Sequence, residues 1–184
     1  MTAYLQQHLQ LDEAAANALR THYWQRYGAT LSGLMRHHDT CPAHFLHHTH
    51  QFPDLSRMVL REPRLRHLLK ALPGKKVVFS NAPQHYVDAV LRLLRVEDLF
   101  DDVMAVEHTR YRPKPDRFGF MRLLKKHRVC ANQCVMVEDS LENLRTAKQM
   151  GMHTVWVNNG NKNSPCVDVK IRDVMQLLKI RYLW

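Results

Sequence analysis

The sequence predicts an α/β protein in which a helical segment precedes an open, doubly wound parallel sheet. Three observations carry this expectation. Short apolar runs of strand length, KKVVFS, VMAVE, CVMVED and TVWVN, begin only after about residue 60. Between them lie amphipathic stretches of helical length, PQHYVDAVLRLLR, PDRFGFMRLLKKH and SLENLRTAKQM. Strands alternating with such helices imply right-handed crossovers and a parallel sheet covered on both faces. The first 60 residues show no strand-like alternation at all.

Taken in order, LDEAAANALRTHYWQRYG has an Asp near its head, a run of strong helix formers and a terminating Gly28, the marks of a helix with both ends specified. The segments that follow, to about residue 60, are interrupted by His, Pro and polar residues and read as shorter helices. Residues 1–60 are therefore expected as a helical cap and residues 61–184 as the α/β core. Tyr23, Trp24 and Met35 are expected inside the helical part. The tail, VDVKI then RDVMQLLKI, predicts one more strand and one more helix. There is no internal repeat.

A chain of 184 residues suffices for one well-cored domain with a small appendage. Twenty-seven Lys and Arg against 17 Asp and Glu give a formal net charge of +10, a field that concentrates anionic ligands. The basic residues are scattered along helical faces, as in RLLKKHR, and no nucleic-acid-binding module accompanies them, so a nucleic-acid partner is not expected. No apolar run approaches the ~18 residues of a membrane span, and the N-terminus lacks the pattern of a secretory signal, so the expected location is the cytoplasm. Four cysteines without a C-x-x-C pair are expected as reduced, mostly buried thiols. Thirteen histidines are many, and six fall in HHDTCPAHFLHHTH. On a helix beginning near Pro42, His44, His47 and His48 share one face, expected to be solvated or to touch substrate rather than to hold a metal.

Open parallel sheets bind ligands at the carboxyl ends of their strands, so the residues just after each strand carry the functional reading. After VVF come Ser80 and Asn81, a hydroxyl and an amide before a helix whose first N–H groups are expected to be free, which is an anion site or else ordinary capping chemistry. After VMAVE, Lys114 stands between Pro113 and Pro115, which restrict the backbone and aim the ammonium; a rigid surface loop is the alternative. After CVMV come Glu138 and Asp139. One carboxylate could cap the next helix, but two adjacent ones repel and call for a cation, a hard one such as Mg²⁺ suiting oxygen ligands. Thirty-four positions separate Ser80 from Lys114 and 24 separate Lys114 from Glu138, about one crossover unit each, so all can meet at one sheet edge.

These segments resemble the haloacid dehalogenase superfamily of aspartate-nucleophile phosphohydrolases, and within it the pyrimidine 5'-nucleotidase branch. FSNA is similar to its second motif, RPKPD to its third and VEDS to its fourth, while LDEAAANALRTHYWQRYGATLSGL, EPRLRHLL and NLRTAKQMGMHTVWV resemble that branch's cap, cap exit and core. The resemblance implies a Rossmann-like core and a magnesium-dependent phosphomonoesterase acting on a small phosphorylated substrate. Ser80, Asn81 and Lys114 would hold phosphate, Ser80 and Lys114 would serve catalysis, and Glu138 and Asp139 would bind Mg²⁺.

One element of the pattern is absent. The family's first motif is D-x-D at the end of the first core strand, and no two aspartates in this chain are separated by a single residue. Asp101 and Asp102 precede a strand and are expected as cap or turn residues. In the family the nucleophile strand lies between the strands carrying Ser80 and Glu138, so its loss would strip partners from both neighbours and leave a large void. The favoured expectation is an incomplete chain, about 20 to 30 residues of strand and turn lying upstream. The alternative is a short form without the chemistry, a phosphate-binding or interaction protein. In either case the chain is expected not to hydrolyse phosphate through an aspartyl intermediate.

Overall fold

The computed structural model describes residues 1–180; the last four residues of the expected core lie outside the described residues. Five helices come first: α1 (Thr2–Leu9), α2 (Glu13–Tyr27), α3 (Thr30–His37), α4 (Pro42–Thr49) and the single turn α5 (Leu55–Met58). Asp12 caps α2 by accepting from the Ala15 N–H at 2.8 Å, and Gly28, at φ 76°, ends it in the left-handed conformation that glycine adopts without strain. Tyr4, Leu5, Ala16, Tyr23, Leu34, Phe45 and Leu46 bury together between these helices. Trp24 is a correction: it is 60% exposed. Its neighbour Tyr23 sits on the inward stripe with Ala16, and adjacent helical residues point about 100° apart, so only one of the two can be inside.

The second part alternates as expected. Helix α6 (Leu65–Ala71) leads into β1 (Val77–Phe79), α7 (Gln84–Leu94), β2 (Asp102–Met104), α8 (Arg117–His127), β3 (Val135–Glu138), α9 (Leu141–Gln149), β4 (His153–Val157) and β5 (Val169–Ile171). All strand pairs are parallel, with Val78 opposite Val103, Val137 opposite Val155 and Trp156 opposite Lys170. This is the Rossmann-like α/β arrangement.

Three local expectations differ. VMAVE leaves the sheet after Met104, because Val106 turns into the helical core and Val106–Thr109 forms a 3₁₀ turn. The final helix is 3₁₀, Val174–Lys179. Of the four free thiols only Cys166 is buried, while Cys41 and Cys130 are exposed on connecting segments.

The largest difference lies in the sheet itself. The one open sheet anticipated from the sequence is two: β1 with β2, and β3–β4–β5. The strands flanking the break, β1 and β3, are only half-buried along their whole length, whereas Thr154, Val155 and Trp156 of β4 are buried. Above the sheet, Leu68, Leu69, Leu72, Val87 and Leu91 pack on Val78, Val135 and Val137. Below it Phe120 packs on Phe79 and Met136. Gly119 makes that lower contact close: a Cβ there would stand 2.8 Å from the Phe79 ring.

Candidate functional site

The carboxyl ends of β1 and β3 and the loop before α8 converge. Lys114 is the centre of that convergence. Its ammonium donates to the Phe79 carbonyl at 2.7 Å and to Glu138 Oε2 at 2.6 Å, bridging the tips of the two sheets, and its side chain is 8% exposed. The flanking prolines are only part of the restraint. Asn81 grips the Lys114 backbone with both ends of its amide, Oδ1 accepting from Lys114 N–H at 2.7 Å and Nδ2 donating to Lys114 C=O at 2.9 Å. Thr146 donates to Pro115 C=O at 2.9 Å, and Asp116 caps α8 through Phe118 N–H.

Glu138 is saturated. Its Oε2 accepts from Lys114 and from Asn143 Nδ2 at 3.0 Å, and its Oε1 accepts from the N–H groups of Asp139 at 3.0 Å and Ser140 at 3.2 Å. Burial alone would raise its carboxyl pKa, but hydrogen bonding involving Asp139 and the Lys114 ammonium outweigh it and hold the pKa low. Asp139 is pushed the other way, upward, by its hydrogen-bonding proximity to Glu138, by burial and by Glu138's charge. No donor among the described residues is bonded to its carboxylate, and its backbone is fixed by Trp156 Nε1 donating to Asp139 C=O at 2.8 Å.

Ser80 Oγ accepts from Ala82 N–H at 3.0 Å, which orients the hydroxyl and leaves its proton to donate. The free helix N-terminus expected beyond it is corrected: Gln84 N–H is held by both oxygens of Glu107, at 3.1 Å each. A carboxylate at this positive helix end satisfies the orphan donor and occupies what would have been anion space.

Ser80, Lys114, Glu138 and Asp139 all line one end of a cavity of about 680 Å³ that continues between β1 and β3. The structure therefore brings together the residues singled out from the sequence. It assigns Asn81's side chain to the Lys114 backbone, and it adds Asn143, Thr146, Trp156 and Glu107 as residues sequence reading missed. Of these only Asn143 carried a signal, an amide in the first turn of the helix after the carboxylate pair.

Among the described residues no three of His, Cys, Asp or Glu gather as a metal site. His44 instead bonds the Tyr4 hydroxyl at 2.9 Å, and His48 packs against it with ring centroids 4.3 Å apart. The donor set at β3 fits magnesium in a restricted way. Asp139 supplies one available carboxylate, which suits a cation that keeps water and substrate phosphate as its other ligands rather than one enclosed by protein.

A family model described as haloacid dehalogenase-like hydrolase matches residues 18–157. This chain belongs to that family. Its curated relatives include the 6-phosphogluconate phosphatase of Escherichia coli (strain K12), 25% identical over 117 residues, which are 64% of this chain and 53% of that protein. The phosphoglycolate phosphatase of Aliivibrio fischeri is 27% identical over 121 residues, 65% of this chain and 50% of that protein. The chain thus spans about half the length of the curated relatives it matches. Among solved structures, a HAD phosphatase from Thermococcus onnurineus superposes with a TM-score of 0.65 at 22% identity, covering 98% of this chain and 86% of that one. The HAD-hydrolase YfnB from Bacillus subtilis, described as bound to magnesium, gives 0.54 at 22% identity over 69% of this chain and 52% of that one. At these identities the likeness is one of fold. Among the described residues no helix is long and apolar enough to cross a membrane.

Proposed function

We propose that this chain carries the phosphate- and magnesium-binding half of a phosphomonoesterase site for a small phosphorylated substrate, with a pyrimidine nucleoside 5'-monophosphate as the favoured one. The observation that carries the reading is the position of Lys114: a buried ammonium that donates to Phe79 C=O and Glu138, has one more N–H to give, and lines the same cavity as Ser80 and Asp139. Ser80 and Lys114 donate to phosphoryl oxygens. Asn81 acts through Lys114 by fixing its backbone. Glu138 holds the ammonium in place, and Asp139 offers oxygen to the cation. Magnesium, when bound there, offsets phosphate charge. The nucleoside assignment rests on the similarity of residues 11–34 to the cap of the nucleotidase branch, and residues 1–60 are proposed as that cap.

Turnover through an aspartyl-phosphate needs an aspartate facing phosphorus. The chain has no D-x-D, and Asp139 is committed by its place beside Glu138 and the cation. Residues 1–184 are accordingly proposed to bind but not to hydrolyse. Isothermal titration with UMP in the presence of Mg²⁺ tests the reading: binding should weaken at least tenfold in Ser80→Ala, and equal affinity of the variant would refute it. A binding protein on this fold is the second reading, favoured by the same missing aspartate; it differs in requiring no completing strand or residue for its task.

A further inference from the structure

The site described above uses none of the 13 histidines, and several of them form a line through the fold. The ring centroids of His8 and His44 are 5.2 Å apart, those of His44 and His48 4.3 Å, those of His47 and His48 5.4 Å, and those of His47 and His85 6.1 Å. The line thus runs from α1 across α4 to α7. Tyr4 ties it to the helical core: its ring stacks on His8 at 3.9 Å and meets Phe45 edge-on at 5.0 Å, and its hydroxyl bonds His44 Nδ1 at 2.9 Å. At the other end, the rings of His50 and Phe52 each pack on Tyr86 of α7 at 5.6 Å.

The surroundings do little to balance added protons. Neither α1 nor α4 carries an Asp or Glu. Beside Tyr4 stands the Cys41 thiol, and Gln51 bonds His47 Nε2 at 2.6 Å. Partial desolvation, then the imidazoles of His44, His47 and His8, hold the His48 pKa below its ordinary value; no group of α2 or α3 joins them. Burial lowers the His50 pKa as well. The Leu46 carbonyl and Glu107 oppose that shift, while His85 and the N-terminal amine reinforce it. Glu107 is already held by Gln84 N–H. His8 lies in the last turn of α1, and His47 and His48 lie in the last turn of α4, where the helix carbonyls favour a first cation. A second and third cation at these spacings meet like charge.

We propose that this line of imidazoles is an acid-operated fastening: while neutral it packs α4 against α1 and α7, and in mild acid it loosens both contacts. Neutral rings pack as aromatic surfaces, and repulsion replaces that packing once two or more are charged. The folded-state pKa of His48 is lowered, so its contribution to stability is complete above the unfolded value of about 6.5 and is lost as pH falls through the folded one. The element most exposed to this bias is α1, eight residues long, without a side-chain bond at its N-cap and seated through Tyr4 and Leu5. A helix of that length depends on its packing to persist. The inference stands on ring geometry and charge and does not depend on the phosphatase reading, so the acid response and the binding of UMP can fail separately.

Amide hydrogen exchange of the intact chain, corrected for the intrinsic effect of pH, reads the fastening at Leu5 against Val155 of the sheet, both fully buried. From about pH 7.5 to about pH 5.5 the protection of Leu5 relative to Val155 should fall about tenfold, and the proton-NMR contact between the Phe52 and Tyr86 rings should weaken. His8→Gln combined with His48→Gln removes two of the charges and spares the His44 bond to Tyr4, so the fall should shrink to about threefold or less. His48→Gln alone removes a ring with no hydrogen-bond partner among the described residues; it should give an intermediate fall, and it keeps the test decisive if the double variant fails to fold. In the same samples His44, His47 and His48 should titrate in broadened, overlapping steps, and the exposed His153 in one ordinary step. An unchanged ratio at Leu5, a fall of the same size in both variants, or ordinary single steps throughout the line would overturn the inference.

Discussion

Lys114 Nζ stands 2.6 Å from Glu138 Oε2, with side chains 8% and 10% exposed, and this pair ties the end of one sheet to the end of the other. The adjacent carboxylates of VMVEDS consequently have different jobs. Glu138 is spent inside the protein, and Asp139 faces outward from the same strand tip.

Removing Glu138 should therefore be costly. In Glu138→Ala the Lys114 ammonium is left buried without its counter-ion, and urea unfolding should show a loss of about 3–5 kcal/mol, the range for breaking a buried ion pair from one side. Glu138→Gln, which keeps the shape and part of the hydrogen bonding, should lose less.

Asp139→Asn should move stability the opposite way. It removes the charge that repels Glu138, so the urea midpoint should hold or rise, while the magnesium dependence of UMP binding disappears. A fall in stability comparable to that of Glu138→Ala would contradict the division of labour.

Asn81→Ala should show how much of the site depends on the Lys114 backbone. Two hydrogen bonds are lost, each worth about 1 kcal/mol net, and UMP affinity should fall although the side chain is not proposed to touch phosphate. Asn81→Asp turns one donor into an acceptor facing the Lys114 carbonyl and should be at least as damaging by both measures.

The strand-and-helix alternation was legible because each element carries its own period, and Asp12 and Gly28 bound α2 where a local reading places them. The meeting of Ser80, Lys114, Glu138 and Asp139 was legible because spacing by crossover units fixes which strand ends share an edge. What was not legible depends on partners distant in sequence. Gln84 is 23 positions from the Glu107 that caps it, and Asn81 is 33 from the backbone it grips. Trp24 was misplaced because a helix face cannot be chosen from two adjacent aromatics alone. The expected loss of strand partners beside β1 and β3 corresponds to the observed break in the sheet.

Acid should expose a second set of carboxylates, away from the site. Burial opposes ionisation of Asp168, but Lys148 together with Thr154 N–H at 2.9 Å and the Thr154 hydroxyl outweigh it, and its pKa is lowered. A depressed folded pKa contributes stability that is complete above the unfolded value of about 3.9 and is lost as pH falls through the folded one. The difference in urea midpoint between the natural chain and Asp168→Asn should be constant from pH 7 to about pH 5 and shrink below it. A difference that grows on acidification would have the wrong sign.

Phosphorus-31 NMR of UMP mixed with the purified chain and Mg²⁺ reads binding and hydrolysis in one sample. The expected spectrum shows a UMP resonance broadened only when magnesium is present, restored to its free width by Ser80→Ala, with no inorganic phosphate resonance growing over hours. A sharp UMP resonance throughout, or a magnesium-dependent phosphate resonance from this chain alone, would contradict a site that holds phosphate without the residue to cleave it.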